Sequence, residues 1–332
     1  MKLTYEQIKG ITKGAARVVM DNGKVRFLRF TEEQEILYRE IPDFYKKTFA
    51  TAGVRLEFFT SSKSLSLKLD VSEASSRTYF NHDIYVNDEH RYSLGSDVKN
   101  GSDGHLTIEG SYALGDGKKK VRIYLPWSVS SEIISLEIDN GSSISPVSHS
   151  RSILMLGDSI THGYDAANPS LSYSSLLTDA LDAEGINKGI GGEVFRSALA
   201  SLPENYTPDI VTVAYGTNDW ASQKKDSFQA ECASFYANLA RLYPDSKIFA
   251  LSPIWRGDCH RITKVGSFDS VLSTLKEISE SIPNVTVIDC TDFVPHKATM
   301  FSPDVLHPNF IGFSHYAEGV INAIKTHLKI NN

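Results

Sequence analysis

Hydrophobic and polar residues alternate with a period of two through much of the first half of the chain. Val54, Leu56 and Phe58, for example, alternate with Arg55 and Glu57. This alternation is typical of β-strands that bury one face and expose the other. Further strands of this kind are predicted at Leu65–Leu69, Asp83–Val86, Leu106–Glu109, Val121–Leu125 and Ile133–Ile138. Because turn-rich segments separate them, we predict an all-β domain, a sandwich or jelly roll, over residues 1–146.

The pattern changes after a segment rich in Ser, Pro and Gly at residues 140–150. Short apolar runs now alternate with stretches whose apolar residues recur at helical spacing, which predicts a doubly wound parallel α/β sheet over residues 147–332. Strands are predicted at Ser152–Leu156, near Ile186, and at Asp209–Ala214, Lys247–Leu251 and Val285–Asp289. Helices are predicted at Tyr173–Glu184, Phe228–Tyr243, Phe268–Ile282 and Phe310–Leu328.

The first 53 residues have a weaker pattern. Val25–Phe30 forms one short apolar patch. The segment Thr31-Glu-Glu-Gln-Glu35 resembles the capped start of a helix, but the stretch that follows, up to Tyr45, is too polar to predict one.

Composition narrows the possible functions. The length of 332 residues agrees with two domains, and the net charge of −6 argues against a nucleic-acid partner, which needs a basic surface. No apolar run is long enough to cross a membrane, so no membrane partner is expected. Cys232, Cys259 and Cys290 are too few and too scattered for a disulfide framework or a zinc cluster. Since the start of the sequence also lacks the apolar core of a signal peptide, we expect a cytoplasmic protein. We also expect no metal and no cofactor.

Four loops after predicted strands carry unusual residues. Ser159 follows the buried run Ile153–Leu156, and the other three loops are Gly189–Glu193, Tyr215–Trp220 and Ser302–Pro308. Ligand sites in open α/β sheets lie at the carboxyl ends of the strands. The four loops are therefore predicted to meet in one site.

These loops hold the groups that acyl transfer requires. Ser159 is a candidate nucleophile and His307 a candidate base, while Asp304, three residues earlier, can orient the histidine ring. The backbone N–H groups of Ser159 and Gly192, with the side-chain amide of Asn218, are candidate donors to the oxyanion. The pattern therefore predicts a serine hydrolase that works through an acyl-enzyme.

The same residues carry a family resemblance. Gly157-Asp-Ser-Ile-Thr161, Gly192, Gly216-Thr-Asn-Asp219 and Asp304-Val-Leu-His307 resemble the four sequence blocks of the SGNH (GDSL-type) hydrolases, in the family's order. The resemblance covers about residues 151–330, and it implies a flavodoxin-like fold and the catalytic roles given above. Gly191 is adjacent to Gly192, and a shift of one position would give it the oxyanion role instead.

The order of the two domains resembles a second group, the carbohydrate esterases of family two. These place a β jelly roll before an SGNH domain, and the segment Tyr124-Leu-Pro-Trp127 near the boundary adds to the likeness. The resemblance implies acetyl esters on carbohydrates as substrates, here O-acetylated oligosaccharides inside a bacterial cell. Alternatives are a lipid acylhydrolase or thioesterase of the same superfamily, or a carbohydrate-binding protein without catalysis. The sequence does not predict an oligomeric state.

Three further residues are candidates for substrate binding. Trp220 and Trp255 follow predicted strand ends, where an exposed tryptophan can stack on a sugar ring and a buried one is core. Arg256 can bind sugar hydroxyls or simply lie on the surface. Asp158 and Asp219, although they belong to the motifs, are predicted to brace their loops through backbone hydrogen bonds.

Overall fold

Antiparallel strands dominate the first half of the chain and parallel strands alternate with helices in the second, in a computed structural model that describes residues 1–330. The strands are β1 (Thr12–Lys13), β2 (Arg17–Asp21), β3 (Lys24–Leu28), β4 (Arg55–Thr60), β5 (Ser64–Glu73), β6 (Tyr79–Val86), β7 (Glu89–Asp97), β8 (His105–Ala113), β9 (Lys119–Tyr124), β10 (Val129–Ile138), β11 (Ile144–Pro146), β12 (Arg151–Gly157), β13 (Ala183–Asn187), β14 (Ile210–Ala214), β15 (Lys247–Leu251) and β16 (Val285–Ile288). The α-helices are α1 (Tyr5–Ile11), α2 (Glu32–Arg39), α3 (Pro42–Thr48), α4 (Ser159–His162), α5 (Tyr173–Ala180), α6 (Thr217–Ser222), α7 (Lys225–Leu242), α8 (Asp269–Ser281) and α9 (Phe310–Leu328).

The antiparallel strands form two sheets around one hydrophobic core. One sheet has the order β2-β3-β10-β5-β8, and the other has the order β1-β4-β9-β6-β7 with β11 beside β4. The apolar residues of the alternating pattern face the core, as expected. Leu56 and Phe58 of β4 and Leu67 and Leu69 of β5 are all buried in the same hydrophobic cluster. The two sheets therefore pack as a β-sandwich.

The five parallel strands have the order β13-β12-β14-β15-β16. Numbered from the start of this domain, the order is 2-1-3-4-5, which is the flavodoxin-like arrangement. Its topological switch point lies between β12 and β14, where the carboxyl ends of the strands open a crevice for a ligand. The predicted fold class, a flavodoxin-like α/β domain preceded by an all-β domain, is confirmed.

One helix prediction was wrong at its end. The helix predicted at Tyr173–Glu184 stops at Ala180, and Asp182 takes a left-handed conformation with φ of +46°. The apolar residues that follow belong to β13, which pairs in parallel with β12. Helix and strand are only two residues apart, so their apolar positions merged into one apparent helical pattern.

Several elements were not predicted. The β2–β3 hairpin turns at Asn22 and Gly23, whose φ angles of +49° and +78° are those a tight two-residue turn requires. Strand β7 lies at the edge of its sheet and has few buried residues, so it lacks the apolar alternation of the other strands. No helix within residues 1–330 combines the length and hydropathy that a membrane span needs.

Helices α2 and α3 pack on the α/β domain, although they lie in the N-terminal part of the chain. Thr31 and Gln34 form a reciprocal capping box that starts α2. Tyr38 of α2 is buried in the core cluster of the α/β domain, and Phe44 of α3 packs against the same cluster. This tertiary burial outweighs the polar composition that argued against a helix.

Arg29 joins this segment to the loop after β13. Its guanidinium is fully buried and donates hydrogen bonds to the backbone carbonyls of Ala50, Lys47, Asn187 and Gly189, at 2.6–3.0 Å. Burial lowers the pKa of Arg29 to about 9. Since Gly189 begins one of the predicted site loops, the N-terminal segment helps to position that loop.

Candidate active site

Ser159 lies at the first position of α4, directly after the buried strand β12. The turn between strand and helix is tight, since a Cβ on Gly157 would lie 2.0 Å from Thr161 Oγ1. Asp158 caps the helix, because its Oδ1 accepts the Ile160 N–H at 2.9 Å, which agrees with the bracing role predicted for it. Burial raises the pKa of Asp158 to about 7. The turn therefore holds Ser159 in one orientation at the switch point of the sheet.

Ser159, His307 and Asp304 form a continuous hydrogen-bonded line. His307 Nε2 is 2.8 Å from Ser159 Oγ, and His307 Nδ1 is 2.6 Å from Asp304 Oδ2. A carboxylate at Nδ1 favours the tautomer whose Nε2 accepts the serine proton. The order nucleophile, base, carboxylate is the arrangement that the sequence predicted.

The loop that carries His307 is braced by Asp304 itself. The other carboxylate oxygen of Asp304 accepts the backbone N–H groups of Leu306 and His307, at 3.0 and 3.1 Å. Burial alone would raise the pKa of Asp304, but the hydrogen bonds from His307 and the backbone lower it below its ordinary value. Asp304 is therefore ionised at neutral pH and can balance positive charge on the ring.

Gly191 and Gly192, the two candidates for the oxyanion donor, differ in their exposure to solvent. Gly191 is buried and its carbonyl accepts a hydrogen bond from Lys47 Nζ at 2.9 Å. Gly192 is exposed, with φ of +91°, and packs near the ring of Phe44. Of the two, Gly192 has the backbone that a substrate can reach. The oxyanion role of Gly192 stays a prediction.

Asn218 is held beside the same loop. Its Nδ2 donates to the Glu193 carbonyl at 2.9 Å, and because the amide nitrogen carries two hydrogens, one remains for a ligand. Asp219 links the loops further, since its carboxylate accepts the N–H groups of Phe195 and Gly216 at 3.0 and 3.1 Å. Burial raises the pKa of Asp219 to about 7. Asp219 therefore braces the loops, as predicted.

A hydrogen bond also joins the glycine loop to the serine loop. The Ile190 N–H donates to the Gly157 carbonyl at 3.0 Å. The loops after β12, β13 and β14 are thus linked to one another by backbone and side-chain hydrogen bonds. This fixes the relative positions of the nucleophile and the candidate oxyanion donors.

The substrate-binding role predicted for Trp220 is wrong. Trp220 is fully buried, its indole N–H donates to the Gly266 carbonyl at 3.1 Å, and its ring packs edge-on against Phe268. A ring enclosed in this way cannot stack on a sugar. It belongs to the core.

The same correction applies to Arg256. Its guanidinium is largely buried over the Trp220 ring and is hydrogen-bonded to Asp258 and to the carbonyl and hydroxyl of Thr217. With its donors engaged, Arg256 stabilises this part of the chain and is not free to bind sugar hydroxyls. Its guanidinium lies over the aromatic face of Trp220, which is itself buried.

Trp255 is only partly buried. Its ring stacks on His296 with a centroid distance of 5.2 Å and contacts Phe301 at 5.3 Å. Phe301 pairs with Pro308, the residue after His307. Stacking of Trp255 on a sugar stays a prediction.

Two residues beside His307 were not predicted. The ring of Tyr164 lies 5.6 Å from that of His307 at an angle of 31°, and Asp165 Oδ2 is 3.7 Å from His307 Nδ1. Arg77 and Tyr79 of the β-sandwich bond to Asp165. No sequence motif marks these residues, because they reach the site only through the packing of the two domains.

Residues 155–313 match the family model described as the GDSL-like lipase/acylhydrolase family. No curated protein sequence matches the chain.

Three solved structures are similar over 85–99% of this chain. A salicylyl-acyltransferase, SsfX3, from a tetracycline biosynthetic pathway has a TM-score of 0.82 at 19% identity, covering 96% of this chain and 94% of that one. A family two carbohydrate esterase from Cellvibrio japonicus has a TM-score of 0.69 at 16% identity, covering 99% and 98%. An acetyl xylan esterase, Est2A, from the rumen bacterium Butyrivibrio proteoclasticus has a TM-score of 0.61 at 15% identity, covering 85% and 92%. At these identities the likeness is one of fold, and it includes the two-domain layout.

Proposed function

The α/β domain belongs to the GDSL-like lipase/acylhydrolase family, and from this premise we propose that the protein is a serine esterase that removes acetyl groups from carbohydrates. The observation that carries the proposal is the line of hydrogen bonds from Ser159 through His307 to Asp304. The substrate class rests on the layout of the two domains, which is similar to that of the esterases named above.

The proposed reaction proceeds through an acyl-enzyme. His307 Nε2 takes the proton of Ser159 Oγ as that oxygen attacks the ester carbonyl, and the N–H groups of Ser159 and Gly192 with the Asn218 amide stabilise the oxyanion. His307 then returns the proton to the departing sugar oxygen when the ester bond breaks. A water molecule repeats the sequence, releasing acetate and restoring Ser159 with its proton.

A second candidate is transfer of the acyl group to an alcohol acceptor instead of water. It is favoured by the high fold similarity to the salicylyl-acyltransferase. The same acyl-enzyme serves both reactions, and only the second nucleophile differs. A lipid acylhydrolase or thioesterase and a carbohydrate-binding protein without catalysis stay as the further alternatives.

The first prediction concerns Ser159. Hydrolysis of nitrophenyl esters from acetyl to octanoyl is expected to be fastest with acetyl and to fall at least about 10³-fold in Ser159→Ala, because the nucleophile is gone. Ser314→Ala, which removes an exposed hydroxyl on α9, is the matched control and should keep full activity. Release of acetate from acetylated oligosaccharides then tests the substrate class.

Each alternative has its own outcome. A rate that peaks at longer acyl chains would replace the carbohydrate esterase with a lipid acylhydrolase or thioesterase. Acylated alcohols among the products would favour the transferase, and the absence of Ser159-dependent turnover would favour the binding protein.

A further inference from the structure

A second carboxylate lies beside the histidine of the active site. Asp165 Oδ2 is 3.7 Å from His307 Nδ1, the same atom that bonds Asp304. The side chain of Asp165 is 12% exposed and that of Asp304 is 39% exposed. A less exposed charge is screened less by solvent and ions. Asp165 is therefore well placed to act on a cationic ring even though it forms no hydrogen bond to it.

The β-sandwich holds this carboxylate in place. Arg77 binds Asp165 with two hydrogen bonds, Nε to Oδ1 at 2.9 Å and Nη2 to Oδ2 at 3.1 Å, and the Tyr79 hydroxyl donates to Oδ1 at 2.9 Å. Burial alone would raise the pKa of Asp165, but these bonds lower it below its ordinary value. The paired geometry fixes the orientation of the carboxylate as well as its charge.

The backbone and the neighbouring ring add to this fixation. Asp165 has φ of +64°, in the left-handed region that aspartate and asparagine tolerate better than most residues. The ring of Tyr164 contacts both the Arg77 guanidinium, at 5.3 Å, and the His307 ring, at 5.6 Å. Ser76 donates to the Tyr164 hydroxyl at 3.3 Å. Residues of the sandwich thus bond both Tyr164 and Asp165.

We propose that Asp165 is a positioning residue for His307, held by Arg77 and Tyr79, so that the β-sandwich completes the active site of the α/β domain. When Ser159 loses its proton to His307 Nε2, the ring gains a positive charge. Asp304 accepts the Nδ1–H, and Asp165 stabilises the same charge from a second side. The inference rests on the proposed role of Ser159 as the nucleophile.

Within residues 1–330, charged and titratable groups reach the His307 ring from its own loop and from the segment after α4. His307 faces Asp304 from its own loop and Tyr164 and Asp165 from the segment after α4, with Arg77 and Tyr79 of the sandwich bonded to Asp165. Removing the charge of Asp165 makes the protonated ring less favourable. The acidic limb of any rate that needs the neutral ring must then move to lower pH.

The test compares two aspartates with matched surroundings. Asp165→Asn keeps the shape and the left-handed backbone but removes the charge. Asp179→Asn is the control, because Asp179 also joins the two domains through an arginine and a tyrosine: Arg122 Nη1 at 2.8 Å and the Tyr124 hydroxyl at 2.6 Å. A purely structural role of such a pair would be lost equally in both variants.

The main measurement is the rate at which a fluorophosphonate labels Ser159, as a function of pH. In this reaction Ser159 Oγ bonds to phosphorus, fluoride leaves, and His307 takes the serine proton, so no carbohydrate is needed. Asp165→Asn is expected to slow labelling about tenfold and to move the acidic limb by up to about one pH unit to lower pH. Asp179→Asn should change neither, and KM for nitrophenyl acetate should be the same in both variants.

The outcomes separate the two proposals. An Asp165→Asn profile that overlays that of Asp179→Asn would overturn the role of Asp165 and leave the esterase proposal intact. Normal labelling without acetyl ester hydrolysis would overturn the esterase proposal alone, and failure of the unmodified protein to react would overturn both. The combination with Asp304→Asn is a second check, since Asp304→Asn alone should lose up to about 10⁴-fold and the double variant should lose more than either single variant.

Discussion

At the scale of single residues, the candidate site depends on side chains that bond to backbone groups as well as to one another. Asp304 accepts two backbone N–H groups besides the His307 ring, and Asn218 is fixed through the Glu193 carbonyl. Such bonds reduce the number of conformers that each functional group can adopt. Preorganised donors of this kind stabilise a developing oxyanion without reorganisation during the reaction.

The prediction at this scale concerns Asn218. Asn218→Ala removes one oxyanion donor and should lower kcat for acetyl esters about 10²- to 10³-fold. Asn238→Ala is a matched control, because Asn238 also donates its amide to a backbone carbonyl, that of Ser197 at 3.0 Å. Steady-state kinetics of both variants, with urea unfolding to compare their stability, measure the effect. Equal activity of the two variants would remove Asn218 from the oxyanion hole.

Whether the sequence predicts a site residue depends on how far apart along the chain that residue and its partners lie. Ser159, Asn218 and His307 follow a strand or precede a helix in short motifs, so local pattern is sufficient to find them. Asp165 meets its partner Arg77 across 88 positions of the chain. No local pattern encodes a contact between domains. For a related reason the sequence left open whether Trp220 is buried or exposed, since burial is decided by distant residues.

At the scale of elements, the segment that contains α2 and α3 is the least expected part of the fold. The sequence predicts the parallel strands well, because a strand buried on both faces is a continuous apolar run. Helix α2 is polar and is held by the buried side chain of Tyr38 and by the nearby buried Arg29, so it contains no such run. The same holds for β7, whose edge position leaves most of its side chains in solvent.

Arg29 provides the prediction for this segment. Arg29→Met would leave the carbonyls of Ala50, Lys47, Asn187 and Gly189 without their donor. Since one buried polar group left unsatisfied costs about 1–3 kcal/mol, the free energy of unfolding should fall by at least about 3 kcal/mol. Arg91→Met, which removes an exposed ion pair with Glu89, should cost less than about 1 kcal/mol. Urea unfolding of both variants measures the difference. A loss as small as that of Arg91→Met would mean that Arg29 is not important for docking the segment.

At the scale of the whole molecule, an ionic network joins the sandwich to the α/β domain. Glu57 of β4 bonds Arg55 at 2.9 Å and His149 at 2.8 Å, and Arg55 reaches Thr178 of α5 at 3.1 Å. Burial would raise the pKa of Glu57, but the bonds from His149 and Arg55 lower it to about 2. The bond to Glu57 raises the pKa of His149.

The network predicts how stability varies with pH. A carboxylate with a lowered pKa stabilises the fold above the pKa of the unfolded chain, and this contribution is lost as pH falls from about 4.5 to about 2. The difference in stability between the unmodified protein and Glu57→Gln should therefore be large at pH 6 and shrink toward pH 2. Urea midpoints across this range test it, with Glu73→Gln, from an exposed pair with Lys46, as control. A difference that does not depend on pH would contradict the assignment.

The path of the chain through α2 and α3 limits how the two domains can be separated. The chain forms β1 to β3 in the sandwich, crosses to cover the α/β domain, and returns to the sandwich at β4. An α/β domain separated from the chain at the predicted boundary, residue 146, would lack Tyr38, Phe44 and Arg29. A binding module joined by a linker can be replaced without changing its neighbour. This sandwich cannot, because residues between its strands pack in the core of the α/β domain. Removing the sandwich together with residues 29–50 should therefore destabilise the α/β domain that remains.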